Sequence, residues 1–401
     1  MTRPDDVLAR LSRTTDQLVG REQLLDRLRS GQPLRVKFGV DCTAPDLHLG
    51  HAVNLWMLRQ FQDLGHVIIF LIGDTTTRIG DPTGRTTTRP TLTADQIDRN
   101  AQAFLRQATM VLHDDPERLQ VRRNSEWYDT MTITDLLGEL SLLTYRQLIA
   151  RDMFQQRIAE GREIALHELI YPVLQGFDSV ALQSDLTIVG SDQLFNETIG
   201  RQLQAQHGQP PQTVITSMIT PGLDGGPKQS KSLNNYVGLA HSPRDKFGRL
   251  MTVNDELVAV WAHAYTDLPP AVVRDLGERA GRGGTAARDA KLDLAEAIVA
   301  RYHGAAEAAR ARQEFVDVFS RGRLPDQVPV LVAPDPHPAV RDLVRLARPE
   351  LTASAIRRLI VEGGVRINGA AVLDPYLCVE LGSGDVLRTG RRHWFALEPR
   401  P

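Results

Sequence analysis

Two short stretches, far apart in the 401-residue chain, carry the residues best suited to chemistry on a phosphate. The first, KFGVDCTAPDLHLGH at residues 37–51, passes from an apolar run through Asp41, Cys42 and Thr43 to His48 and His51, which flank Leu49 and Gly50. It reads as a strand, a turn and the start of a helix. Gly50 then sits where a ligand can approach the backbone closely, and helix N–H groups face an anion. The second, GGPKQSKSLNNY at 225–236, is a Gly/Pro-flanked loop that holds Lys228 and Lys231. Only five of the 47 basic residues are lysines, so two so close together are informative. A compact ammonium on a flexible stem can follow charge moving on a pyrophosphate, where a planar guanidinium fixes one geometry. Each stretch alone also reads as ordinary structure, a turn in an α/β protein and a solvated basic loop. Together they point to a nucleotide.

Two further clusters are candidate ligand sites. After the apolar run VIIFLIG at 67–73 come Asp74, the segment GDPTG with Asp81, and then Arg85 and Arg89; one carboxylate and two guanidinium groups at a strand's carboxyl end suit a ligand bearing both an amine and phosphates. GDPTG is also a turn by composition. In HELIYPVLQGFDSVALQS (167–184), Tyr171, Gln175 and Asp178 fall at i, i+4 and i+7, so a helix puts them on one face. Such a face is either a solvent face or the lining of a polar pocket, and the apolar neighbours on either side favour the pocket. A strand DLTIV leads into Gly190, Ser191, Asp192 and Gln193, which should reach the same rim as Asp41 and His48.

The elements that must position these groups follow from hydrophobic period and breakers. Residues 1–33 read as one helix closed by Gly31 and Pro33. Strands are expected at 34–40, 67–73, 185–189 and 214–219, with a helix over 51–64 and a helical region over 94–157 interrupted near 121–127. The fold expected is a Rossmann-like, doubly wound parallel sheet with helices on both faces and ligands at the strands' carboxyl ends. The domains expected are 1–240 (catalytic), 241–320 (helical, with a Gly-rich break at 281–284), a Pro-rich linker at 321–338, and a small α/β module at 339–401. That last module has ten basic and seven acidic residues in a chain whose net charge is −2. Paired arginines, Arg357–Arg358 and Arg391–Arg392, make it a candidate RNA-binding surface or an ordinary charged one.

Composition excludes several classes. With 42% hydrophobic and 24% charged residues the chain is an ordinary globular one, and no run of eighteen apolar residues or signal-like N-terminus occurs. A cytoplasmic protein with no membrane segment is expected. The two cysteines, Cys42 and Cys378, are too far apart to make a metal site by themselves, and free thiols are the simplest reading.

HLGH at 48–51 and KQSKS at 228–232 resemble the two signature motifs of class I aminoacyl-tRNA synthetases, usually HIGH and KMSKS. The segments DCTAPDLHLGH, IGDPTG, YPVLQGFDS, GSDQ and SLNNYVGL resemble the bacterial tyrosyl-tRNA synthetase family, and the C-terminal module resembles its small RNA-binding domain. The likeness runs from about residue 30 to the C-terminus. It implies that Thr43, His48 and His51 contact the ATP phosphates and stabilise the transition state at the α-phosphate, while Lys228 and Lys231, with Arg85 and Arg89, hold the departing pyrophosphate. Asp41, Gly50, Gly190, Asp192 and Ser232 would bind the nucleotide. Tyr171, Gln175, Asp81 and Gln193 would hold the amino acid's ammonium and carboxylate, Asp178 its phenol, and Asn124 the pocket edge. The implied substrates are tyrosine, ATP with phosphate-bound Mg²⁺, and tRNA(Tyr), turned over by a homodimer with no metal held by the chain itself. Carboxylate attack on phosphorus needs positioning and charge stabilisation rather than a nucleophilic Ser or Cys.

The chain departs from that pattern. Cys42 stands where the family has Pro, Gln229 where it has Met, Val189-Gly190 where it has two glycines, and Thr75–Arg78 where it has a Phe-Thr-Gly-Met run. Val189 and Thr77 with Arg78 are expected to fill space at the pocket rim. A paralogue acting on a tyrosine-like amino acid, conferring inhibitor resistance or serving a biosynthetic pathway is therefore the alternative reading. A non-catalytic RNA-binding protein is disfavoured by the intact histidines and lysines.

Overall fold

The computed structural model describes residues 4–82, 92–226, 228–231, 233–320, 328–335, 337–382, 384–390 and 393–399. The chain divides into two compact units, Met1–Ala309 and Arg310–Pro401.

The first unit is built on six strands: β1 (Thr15–Val19), β2 (Arg35–Val40), β3 (Val67–Ile72), β4 (Leu119–Arg123), β5 (Leu186–Gly190) and β6 (Thr213–Ser217), in the order β1-β6-β5-β2-β3-β4. Strands β2 to β6 are parallel. Ile68, Ile69 and Phe70 of β3 are fully buried, as a strand covered on both faces requires. From β2 the chain builds outward through β3 and β4, then returns to the other side for β5 and β6. Val40 pairs with Ile72, Ile72 with Arg123, and Gly190 with Ser217. The segments after β2, β3, β4 and β5 therefore share one rim, beside the point where the strand order reverses, which is where such sheets bind ligands.

The N-terminal segment differs from the single helix expected. It forms helix Pro4–Leu11, β1 and helix Arg21–Ser30. Gly20 takes φ 86°, a conformation that ends helical continuity and suits glycine. β1 pairs antiparallel with β6, so the sheet is mixed at that edge rather than wholly parallel. The helix expected over 51–64 spans Leu49–Asp63.

Helices Pro243–Leu250, Val258–Tyr265, Pro270–Gly281 and Gly284–His303 belong to the same compact unit as the sheet. The Gly-rich break falls between the last two, where Gly283 and Gly284 take φ of 69° and 58°.

The second unit holds β7 (Val330–Ala333), β8 (Val365–Ile367), β9 (Ala370–Val372), β10 (Asp385–Thr389) and β11 (His393–Pro399), in the order β7-β11-β10-β8-β9. Helices Val340–Ala347 and Ala353–Val361 close a core around Leu343, Ile356, Ile360, Leu387 and Leu397. The Pro-rich stretch read as linker thus includes a strand. β7 lies at the sheet edge, where prolines are tolerated, and Pro329 O accepts from Ala396 N–H at 2.9 Å. Arg357 and Arg358 are both exposed. Arg391 and Arg392 lie outside the described residues.

Candidate active site

The loop after β2 carries Asp41 and Thr43 to the rim and ends at His48, the N-cap of helix Leu49–Asp63. His48 Nδ1 accepts from Gly50 N–H and His51 Nδ1 from His48 N–H, each at 3.2 Å, and the ring centroids are 3.9 Å apart. A Cβ on Gly50 would lie 2.9 Å from His48 Cε1, so the ring folds back only over glycine. Burial, then the neighbouring His51 and the two lysines, pushes His48 down to about 2; burial and Lys231 push His51 down to about 4. Both imidazoles are neutral at pH 7. With Nδ1 accepting, the proton of each is on Nε2.

The helix N-terminus is not the anion site expected from the sequence. Leu49 N–H donates to Val237 O at 2.9 Å, Gly50 N–H to His48 Nδ1, and His51 N–H to His48 O at 2.9 Å. The first-turn donors are spent on closing the loop.

The lysine loop borders the same space. Lys228 Nζ lies 3.7 Å from Asp192 Oδ2, and Lys231 Nζ sits 5.8 Å from the Phe104 ring centroid, its pKa lowered by burial. Asn235 shapes the loop: Oδ1 accepts from Ser230 N–H at 2.7 Å and Nδ2 donates to Asp224 Oδ1 at 2.9 Å. Gln229, in the family's Met position, is buried and donates to the Tyr265 hydroxyl.

The amino-acid end is assembled from distant elements. On helix Leu166–Ala181, Tyr171, Gln175 and Asp178 face the cavity together. Tyr171 OH and Thr76 Oγ1 each donate to Asp41 at 2.8 Å. Gln193 Nε2 donates to Asp81 Oδ2 at 2.9 Å, and Asn196 Nδ2 donates to Gln175 and Gln193. Asp178 accepts from Trp127 Nε1 at 3.1 Å and Asn124 Nδ2 at 3.4 Å. Burial pushes its carboxyl up to about 7, opposed by Lys37 and these hydrogen bonds. One cavity of about 730 Å³ runs from the histidines and lysines to this floor.

A family model described as tRNA synthetases class I (W and Y) matches residues 29–320. A tyrosine–tRNA ligase of Thermotoga maritima is 40% identical over 394 residues, covering 98% of this chain and 98% of its own. The chain belongs to the class I tyrosyl-tRNA synthetase family. A tyrosine–tRNA ligase of Methylococcus capsulatus is 42% identical over 99% of this chain and 100% of its own. Among solved structures, the tyrosyl-tRNA synthetase of Archaeoglobus fulgidus complexed with L-tyrosine shares the fold, with TM-score 0.58, 19% identity, and 77% and 99% of the two chains covered.

Of the synthetase residues expected at the site, Asp41, Thr43, His48, Gly50, His51, Asp81, Tyr171, Gln175, Asp178, Gly190, Asp192, Gln193, Lys228 and Lys231 all line the cavity. Asn124 does not: fully buried, it stands behind Asp178 and also binds Thr75 N–H and Thr76 Oγ1. Arg85, Arg89 and Ser232 lie outside the described residues. Val189 lines the cavity, whereas Arg78, expected to add bulk there, is exposed and takes no part in the lining. Burial pushes the Cys42 thiol up to about 12, which leaves it protonated and unreactive. Sequence reasoning missed Lys37, Glu197, Asn54 and Thr76, all on the cavity wall, and Asn235 and Asn196 behind it. For Lys37 the signal was present: a rare lysine set within an apolar strand.

Proposed function

We propose that this cavity joins tyrosine to ATP, giving tyrosyl-adenylate and pyrophosphate, and that the tyrosyl group then passes to the 3′ end of tRNA(Tyr). The observation that carries the reading is the continuity of one cavity between two unlike ends. One end presents imidazole N–H groups and two ammonium groups; the other presents a buried carboxyl, Asp178. Tyr171, Gln175, Asp81 and Gln193 would hold the amino acid's charged groups, leaving its carboxylate aimed toward the histidines. Asp41, Gly190 and Asp192 would hold the nucleoside.

The chemistry is a displacement at phosphorus. The tyrosine carboxylate oxygen bonds to the α-phosphorus while the bond to the bridging oxygen breaks, and pyrophosphate leaves with the electron pair. Neutral Nε2–H donors from His48 and His51 stabilise charge on the α-phosphate without giving up a proton, and Lys228 and Lys231 follow the charge onto pyrophosphate. The cavity's aspartates are engaged by Tyr171, Gln193 and Lys228, so the donor set suits a Mg²⁺ carried on the phosphates rather than one held by the chain. Bound there, it would screen the phosphate charge.

Two partner readings accompany this one. Helix Ile133–Ser141 leaves Ile133 and Leu137 exposed at 79% and 59%, and Tyr145 and Leu166 are exposed as well; these uncovered apolar side chains favour a homodimer. Exposed Arg357 and Arg358, together with Arg391 and Arg392, are proposed to contact tRNA phosphates. Among the described residues no helix is long and apolar enough to cross a membrane, and we assign the reaction to the cytoplasm on the strength of its tRNA substrate.

Amino-acid-dependent ATP–pyrophosphate exchange tests the reading. Tyrosine is expected to support exchange and phenylalanine to fail, because without the phenol the buried Asp178 loses its partner. Exchange with a tyrosine analogue but not with tyrosine would overturn the assignment.

A further inference from the structure

His48 has an aromatic neighbour that the reaction above leaves unused. Tyr236, which closes the lysine loop, is half-buried and sets its ring 6.0 Å from that of His48, centroid to centroid, at an interplanar angle of 57°. Such a distance and tilt are those of an attractive ring pair. The backbone repeats the contact: Leu49 N–H donates to Val237 O and Leu239 N–H to Leu47 O, each at 2.9 Å, and His48 forms an antiparallel bridge with Gly238. Tyr236 itself does not line the cavity, so any effect it has on a substrate passes through a neighbour.

The His48 imidazole needs such a neighbour. Its Nδ1 is fixed by Gly50 N–H, but one hydrogen bond at one corner leaves the ring free to turn about that bond. The direction of the opposite Nε2–H is then set by the rings packed around it, His51 at 3.9 Å and Tyr236. Tyr236 is firmly held in turn. The guanidinium of Arg249, on helix Pro243–Leu250, lies 5.5 Å from the centre of its ring, and the His241 ring is 5.7 Å away. Arg249 Nη1 also donates to Tyr236 O at 3.3 Å and to Asn234 Oδ1 at 3.1 Å. Asn234 takes φ 52°, a left-handed turn conformation that Asn tolerates, and its N–H donates to Lys231 O at 3.1 Å. One guanidinium thus holds both the turn that follows Lys231 and the ring that packs on His48.

We infer that Tyr236 is a positioning residue for adenylate formation: its ring, held by Arg249, aims the His48 Nε2–H at the α-phosphate and fixes that aim relative to the Lys231 ammonium. The inference rests on the function proposed above. Charge develops on the α-phosphate oxygens and on the departing pyrophosphate in the same transition state, so the donors to each must stand at the right separation at the same moment. The histidines sit on a helix and the lysines on a loop distant in sequence. Tyr236 belongs to the loop and packs on the helix, and so keeps the two in register. The ring carries this role and the hydroxyl does not, and its loss falls on the rate of the chemical step rather than on binding.

The test is tyrosine-dependent pyrophosphate exchange in the full chain carrying Tyr236→Leu or Tyr236→Phe, with a thermal melt to report folding. Tyr236→Leu should lower kcat by about tenfold, less than the roughly hundredfold that removing a whole donor costs. The KM values for tyrosine and ATP should stay within about twofold of the parent, as expected when only the transition state is affected. Tyr236→Phe, which keeps the ring, should restore kcat. A folded Tyr236→Leu variant with the parent kcat overturns the inference, and so does a loss confined to KM. A phenylalanine variant as slow as the leucine one also overturns it, by assigning the role to the hydroxyl. Should Tyr236→Leu fail to fold, Arg249→Met decides: a lowered kcat at unchanged KM supports the role, and the parent kcat refutes it. Absence of tyrosine-dependent exchange in the unaltered protein would instead overturn the proposed function, and the inference with it.

Discussion

The two ends of the cavity are held by different means. At the phosphate end the groups are local: His48 and His51 lie within one helical turn, the His51 ring accepting from His48 N–H and the His48 ring from Gly50 N–H, and Lys228 and Lys231 share one loop. The amino-acid floor is long-range, with Lys37, Asp178 and Glu197 arriving from a strand and two helices spread over 160 residues. Exposure divides the same way. The Lys228 side chain is 55% exposed, that of Lys37 1%. A partly solvated loop can follow charge as it moves, whereas a buried network can only select what fits it. The phosphate end should therefore govern the rate of activation, and the floor should govern which amino acid is activated.

The sharpest way to break that division is Lys231→Ala. Removing an ammonium that acts on the leaving group should slow adenylate formation by roughly 10²–10³-fold, with the tyrosine dissociation constant nearly unchanged. Rapid-quench kinetics across a tyrosine titration separates the two. A parallel loss of tyrosine affinity would mean that the ends are one unit.

Asp178→Asn probes the other end and should act with opposite signs on binding and on stability. Tyrosine KM should rise about ten- to a hundredfold as the phenol loses a charged acceptor. Burial lifts the Asp178 carboxyl to about 7 from its ordinary 3.8, so between those values the folded chain holds a proton that the unfolded chain has released. Stability then falls as pH rises through that window. The variant should melt above the parent at pH 8, with the gap shrinking as pH falls toward 4. A lower melting temperature at pH 8 would show that the charge is supported by its surroundings rather than strained by them.

Legibility in the sequence follows the same division. HLGH and the lysine pair could be read because their members are within four residues of one another, and Tyr171, Gln175 and Asp178 because a helical period joins them. Lys37 and Glu197 could not be paired, since only the folded sheet brings β2 against helix Leu194–Gln206. The strand periods gave the parallel core, but β1 was hidden inside an apolar pattern that also fits a helix, and only its pairing with β6 decides the matter. The use of the first-turn N–H groups was likewise invisible, because Val237, which occupies one of them, is far along the chain.

Gln229→Met tests how local the phosphate end is. Gln229 is 4% exposed; it donates to the Tyr265 hydroxyl and to Thr220 Oγ1, and its Oε1 accepts from Val237 N–H at 3.3 Å. Methionine, the residue of the KMSKS form, fills nearly the same volume but gives up all three bonds. The loss is partly covered, because Tyr265 OH and Thr220 Oγ1 also bond each other, which leaves Val237 N–H as the group stripped of its partner. The cost should be about 1 kcal/mol, a melting temperature lower by roughly 2 °C in a unit of this size. Lys231 is two residues away and keeps its place through Asn235, so activation should slow by less than about threefold on the same energetic scale. A loss approaching that of Lys231→Ala would show instead that the loop takes its position from the helix Val258–Tyr265, making the phosphate end as dependent on distant contacts as the floor.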